Sequence, residues 1–154
     1  MPFRLLLPHA IHDAMIAQAR AELPNECCGL LAGRIQEDHT ARVFRRYPLV
    51  NETASPTRYL SEARSLLNAD KDARRHALEF LAVYHSHPTS PPVPSRTDLD
   101  SNYWPGVMHF IISLGQERAE MRAWWLGADD YRPADWSIAL GQDSDPDPVP
   151  QPRN

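Results

Sequence analysis

The sequence predicts an α/β protein in a single domain, with helices flanking a mixed β-sheet. Three observations lead there. The 154 residues are 42% apolar and 23% charged, a length and balance suited to one hydrophobic core. Helical and strand-like periodicities follow one another as helix, hairpin, helix, strand, short helix and two strands, the mixed order of an α/β fold. The stretch Glu79 to His87 is a continuous apolar run of the kind found in a strand covered on both faces, so it belongs at the centre of the sheet.

Each element has its own signal. Pro8 to Glu22 places Ile11, Ala14, Met15 and Gln18 or Ala19 at helical spacing, with Pro8 near the start and Pro24 beyond the end. Glu26 to Gly33 and Arg42 to Leu49 read as two antiparallel strands of a hairpin. After a loop at Asn51 to Thr57 and an extended piece around Tyr59, Ser61 is placed to cap a helix through Leu66, Leu67 and Ala73 towards Ala77, weakened in the middle by Asn68 to Asp72. Four prolines between Pro88 and Pro94 rule out regular structure there. Ser95 to Tyr103 then reads as a short helix, with Ser95 as N-cap and Asp98 in the capping-box position. Val107 to Ser113 and Glu120 to Trp125 are two further strands, and Asp129 to Leu140 is a finishing segment. The domain is expected to span residues 1–141, and the acidic, proline-rich stretch 142–154 to be a disordered tail.

Composition removes several function classes. Sixteen basic residues against twenty acidic ones give a formal charge of −4, with no Lys/Arg run to track phosphates, so a nucleic-acid partner is not expected. No stretch approaches the ~18 apolar residues of a membrane span, and the N-terminus lacks the apolar core of a signal peptide. Cys27 and Cys28 are adjacent, which cannot build a disulfide framework. A soluble, cytoplasmic protein is the expectation.

The chemistry gathers after the central strand. His85 and His87 lie two apart on it, so both imidazoles leave one face. Asp98 follows in the first turn of the short helix. Two His and one carboxylate leave a fourth position of tetrahedral zinc open, the ligand count of a hydrolytic site. With seven His in the chain, a chance His-x-His arises in roughly a third of such compositions, so the pair alone says little. Adding Ser95 and Asp98 lowers chance agreement to on the order of 2 in 1000.

Glu26, then His85-Ser86-His87-Pro88, then Ser95 and Asp98 resemble the motif of the JAMM (MPN-plus) metallopeptidases, short bacterial type, at every position. The flanking segments from Pro24, Asn51, Ala82 and Trp104 are also similar, so the resemblance covers roughly residues 8 to 126. It implies the MPN (JAMM) fold, with His85, His87 and Asp98 as zinc ligands. It further implies that Glu26 takes the proton of the zinc-bound water and delivers it to the leaving amine, and that Ser95 hydrogen-bonds the oxyanion. Read from the residues alone, Ser95 is equally a helix cap. Ser86 points to the opposite face and reads as a packing residue or as one that supports the ligands from behind. His9, His12, His39 and His76 read as solvated surface, and His109 as a hydrogen-bonded core residue. Trp104 follows the Asp98 helix closely enough to line a cleft, and Trp124 reads as packing.

The short chain lacks room for the insertions with which larger members recognise ubiquitin pairs. The resemblance therefore implies cleavage of an amide at the C-terminal Gly-Gly of a ubiquitin-like sulfur-carrier protein or its adduct. An extended tail of that kind would add beside a strand edge. Two other readings compete. A non-catalytic MPN-type binding scaffold would usually lack the ligands present here. A cysteine nucleophile at Cys27 or Cys28 leaves the His pair unexplained, and both thiols read as small buried residues. The arrangement a zinc deaminase needs is absent from the sequence. The sequence leaves the carrier, the group removed and the oligomeric state open.

Overall fold

In the computed structural model of the chain, residues 3–139 are described, and the tail expected at 142–154 lies outside them. The elements run β1 (Arg4–Pro8), α1 (His9–Ala21), β2 (Cys28–Ile35), β3 (Thr40–Leu49), α2 (Ala63–Arg75), β4 (Glu79–His87), α3 (Arg96–Asp100), β5 (Met108–Ser113), β6 (Glu120–Leu126), β7 (Tyr131–Pro133) and β8 (Trp136–Ala139). The eight strands form one mixed sheet in the order β7-β6-β5-β4-β2-β3-β1-β8, which puts β4 in its interior as expected. β1 pairs in parallel with β3 and β8, as β4 does with β5, and the remaining pairs are antiparallel.

The sheet curls until its two ends meet. β7 and β8 sit at opposite ends of the strand order, yet only Ala134 and Asp135 separate them in sequence. Ala134 N–H bonds Ala123 O at 2.9 Å on one side, and Leu5 N–H bonds Asp135 O at 3.1 Å on the other. One bent stretch of chain therefore covers the outer edges of both β6 and β1. An unpaired edge would invite association, and this closure protects most of it.

Alternation along the strands divides the core in two. On the α1 side, Leu5, Leu7, Leu31, Tyr84, Phe110 and Ile112 pack against Met15 and Ala19 of α1. Gly29 is required there, since a Cβ would collide with the Tyr84 ring. On the other side Cys28, Leu30 and Val83 pack with Ala69 of α2. The second face ends at the C-terminal end of β4, where the two histidines emerge.

Three expectations are corrected. β1 was not expected as a strand. Ser61 does not cap α2: its Oγ meets Cys28 Sγ at 3.9 Å, while Glu62 occupies the N-cap position and α2 runs unbroken. His76 is buried rather than solvated, its Nδ1 lying 2.8 Å from Asp72 O at the end of α2.

Candidate metal centre

His85 and His87 leave β4 on the face turned away from α1. β2 supplies the next group through its register. Cys28 pairs with His85, and the pairing continues one step before β2 begins. Cys27 N–H donates to Ser86 Oγ at 2.8 Å, and Ser86 N–H donates to Cys27 O at 3.1 Å. Glu26 consequently stands opposite His87 on the same face, at the short range of cross-strand neighbours. Its N–H donates to Ser55 O at 2.8 Å and its C=O accepts from Asn51 Nδ2 at 3.0 Å, so the backbone is held from both sides.

Asp98 arrives on α3 by way of the proline-rich loop. That loop is tied down through three successive carbonyls. Ser113 Oγ of β5 donates to Ser90 O at 2.7 Å, Trp124 Nε1 of β6 donates to Pro92 O at 2.9 Å, and His87 Nδ1 lies 2.8 Å from Pro91 O between them. Gly115 lets the loop sit this close, because a Cβ there would lie 2.8 Å from Thr89 O. The five-residue α3 is too short to be stable alone. Ser95 closes a capping box around its first turn: Asp98 N–H donates to Ser95 Oγ at 3.1 Å, and Ser95 N–H donates to Asp98 Oδ2 at 2.9 Å. The cap thus also holds the carboxylate.

The three groups meet at one point. His85 Nε2 and His87 Nε2 are 3.1 Å apart, His85 Nε2 is 3.2 Å from Asp98 Oδ1, and His87 Nε2 is 3.1 Å from Asp98 Oδ2. Ligands about 2.0–2.1 Å from a tetrahedral zinc ion stand about 3.3 Å from one another, and these separations are of that size, with one Asp98 oxygen turned to each ring. Each ring nitrogen has a single in-plane direction, so hydrogen bonds alone leave three mutual contacts poorly served, and a central cation would serve all three. With Nδ1–H of His87 given to Pro91 O, its Nε2 keeps the lone pair that a metal needs. Ligand atoms of Glu26, His85 and His87 also lie within 4.8 Å of one another, a buried cluster compatible with a metal. Glu26 Oε1 is sealed without a hydrogen-bond partner among the described residues, as is His85 Nδ1. An orphaned carboxylate oxygen facing this cluster fits a site completed by a further group. The donor set therefore suits a divalent metal ion.

The electrostatics follow from burial. Glu26 is 3% exposed, and loss of hydration pushes its carboxyl up to about 8, with the His87 charge pulling it down and Asp98 pushing it further up. Burial also opposes ionisation of Asp98, but hydrogen bonds from His85 and His87 outweigh it and hold that carboxyl well below the usual range. Burial raises the Cys27 and Cys28 thiols to about 11 and about 12, which keeps both as neutral thiols. They are free and fully buried, as expected, while His109 is buried with Nε2 3.3 Å from Trp104 O.

A cavity of about 360 Å³ opens beside Asp98, walled by Tyr59, Leu60, Leu66, Thr97, Tyr103 and Trp104 among others. Trp104 lines it as anticipated. Sequence reasoning passed over Asn51, Ser113 and Trp124 as parts of the site. Asn51 had one usable signal, an asparagine at the first position of a loop. The other two act through partners far away in sequence.

Comparison with known proteins agrees with this geometry. The family model described as prokaryotic homologs of the JAB domain matches residues 8–127. The chain is 37% identical over 125 residues to a Thermus thermophilus protein named a probable TtuB-protein conjugate cleaving protease, covering 75% of this chain and 80% of that one. It is 38% identical over 119 residues to a Haloferax volcanii desampylase, covering 71% and 81%. A Mycobacterium tuberculosis CysO-cysteine peptidase is 34% identical over 114 residues, covering 73% and 75%. A solution structure of a Desulfitobacterium hafniense protein superposes with a TM-score of 0.81 at 32% identity, covering 90% of this chain and 95% of that one.

Proposed function

Because the chain belongs to the family of prokaryotic homologs of the JAB domain, we propose that it is a zinc-dependent peptidase or isopeptidase. Its substrate would be the amide bond at the C-terminal Gly-Gly of a ubiquitin-like sulfur-carrier protein. The observation that carries this reading is the triangle of His85, His87 and Asp98, with Glu26 opposite His87. The relatives named for cleaving protein conjugates or a CysO-cysteine bond support the substrate class.

His85, His87 and Asp98 would hold the metal, whose role when bound is to polarise a carbonyl and to acidify water. Glu26 is the proton carrier: its carboxylate accepts a proton from the attacking water and releases it to the leaving amine. Burial raises the carboxyl above the ordinary carboxylate range, the direction that suits a group that must take up a proton and give it back. Ser95 keeps Asp98 in place through the capping box, and its own hydroxyl hydrogen stays free for a substrate oxygen.

The tail of the carrier has an edge to bind. β4 is flanked by β2 and β5, so the main sheet offers none at this point. The segment Tyr59 to Ser61 does. Glu52 N–H bonds Leu60 O and Glu62 N–H bonds Val50 O, so the N–H and C=O of Tyr59 and Ser61 face the other way, towards the cavity beside Asp98. An extended chain lying there would take main-chain hydrogen bonds and bring its end to Asp98.

The test combines metal content and turnover. The purified protein is expected to carry about one zinc per chain, and Glu26→Ala to keep the metal while losing cleavage of carrier adducts read by mass. Full activity after chelation and in that variant would sink the proposal.

A further inference from the structure

The loop from Asn51 to Ser61 brings one more group to this centre. Tyr59 stacks on His85 with ring centroids 4.8 Å apart and planes 23° from parallel, and it lines the same cavity as Asp98. Asn51 sets its position. The Asn51 side chain donates to Arg58 O at 3.0 Å and accepts Leu60 N–H at 3.1 Å, gripping both neighbours of Tyr59, and it also donates to Glu26 O. One buried amide thus fixes Tyr59 and Glu26 relative to each other.

The ring is explained by its packing, but the hydroxyl is not. It makes no hydrogen bond among the described residues and is not one of the sealed orphan atoms, so it is accessible, on a residue that lines the cavity. Tyr59 is half-buried, so its ring is held by packing while its hydroxyl stays accessible to an incoming group.

We propose that Tyr59 is a catalytic residue, its hydroxyl donating a hydrogen bond to the reacting carbonyl oxygen of the substrate beside His85 and Asp98. The inference rests on the peptidase reading above. No covalent change occurs at Tyr59. The O–H bond to the substrate strengthens as the carbonyl oxygen gains negative charge and relaxes when the C–N bond breaks and the carbonyl reforms.

Tyr59→Phe preserves the stack and removes only the donor. Metal-loaded wild type and Tyr59→Phe are compared on a carrier–cysteine adduct, and both are titrated with a synthetic peptide ending in Gly-Gly, whose terminal carboxylate stands in for the reacting carbonyl. The variant is expected to lose at least about tenfold in kcat with KM within about twofold. It should bind the peptide about fivefold more weakly and keep its zinc content and melting temperature. An unchanged kcat, or a loss confined to KM, overturns the assignment. Should the wild type cleave no adduct, the peptidase reading falls and the titration alone decides Tyr59: equal affinities, or no binding by either protein, overturn it.

Discussion

Burial opposes the charge of Glu26, and the sign of its effect on stability can be worked out. Its carboxyl ordinarily titrates at 4.5 and burial moves it to about 8 in the metal-free fold. Below 4.5 both folded and unfolded chains hold the proton, and nothing is lost. Between these values the unfolded chain releases the proton while the folded one keeps it, so stability falls as pH rises. Two other groups titrate nearby. His87 is raised, despite its burial, by hydrogen bonds to Asp98 and Pro91, so its contribution also fades as pH rises through its folded value. Burial lowers His109 to about 4, which costs stability as pH drops below 6.5. Both remain in Glu26→Gln, so the difference between the two proteins reports Glu26 together with its coupling to His87. Thermal melts of the metal-stripped proteins at pH 5 and pH 8 should show wild type losing more stability than the variant, by on the order of a few kcal/mol. Parallel pH dependence in the two would mean that Glu26 is not held protonated by its surroundings.

The proline-rich loop between β4 and α3 makes the same point for an element. Its prolines cannot donate, so the loop is fixed through what its carbonyls accept: one bond each from β5, β4 and β6. Trp124→Phe and Ser113→Ala each remove one anchor without touching a ligand. The His87–Pro91 bond between them is an outer hydrogen bond of a ligand, a kind worth about 10- to 100-fold in metal affinity, and losing either anchor loosens it, so each variant is expected to bind zinc at least several-fold more weakly in competition with a chelating dye. Unchanged affinity in both would show that α3 holds Asp98 without the loop. These anchors also mark where sequence reading stops. The His pair was legible because strand alternation is local, and Ser95 with Asp98 because a capping box spans four residues. Glu26 was legible through the motif alone and not from spacing, since its place opposite His87 depends on a register between β2 and β4 carried by Cys27 and Ser86. β1 escaped for a related reason: five residues with only Leu5 and Leu7 fully buried give too short a period to stand out. Ser61 misled because a hydroxyl before a helix suggests a cap, whereas here it meets Cys28 across the core.

At the scale of the molecule, the family match and the fold do not end in the same place. The match stops at residue 127, directly after β6, whereas the sheet is closed by β7 and β8 beyond it. β8 pairs with β1 over four residues, and Trp136 packs edge-on against Phe110 with centroids 5.1 Å apart, so the closing stretch belongs to the α1-side core. A chain ending at residue 127 would expose the outer edges of β1 and β6 together and uncover Phe110. Trp136 is half-buried, so its loss alone is worth up to about 3 kcal/mol, a sizeable part of the 5–15 kcal/mol typical of a domain, and open edges favour association. That chain is expected to melt without a cooperative transition and to scatter light at micromolar concentration. A chain ending at residue 141 keeps every described element, and we propose it as the complete domain, with a melting temperature within about 2 °C of the full chain and the same zinc content. The β4 centre lies far along the strand order from the closing stretch, so zinc binding measures the whole fold rather than a local contact. If the chain ending at 127 melted cooperatively and held zinc as the full chain does, closure of the sheet would be dispensable and β7 and β8 would be an appendage.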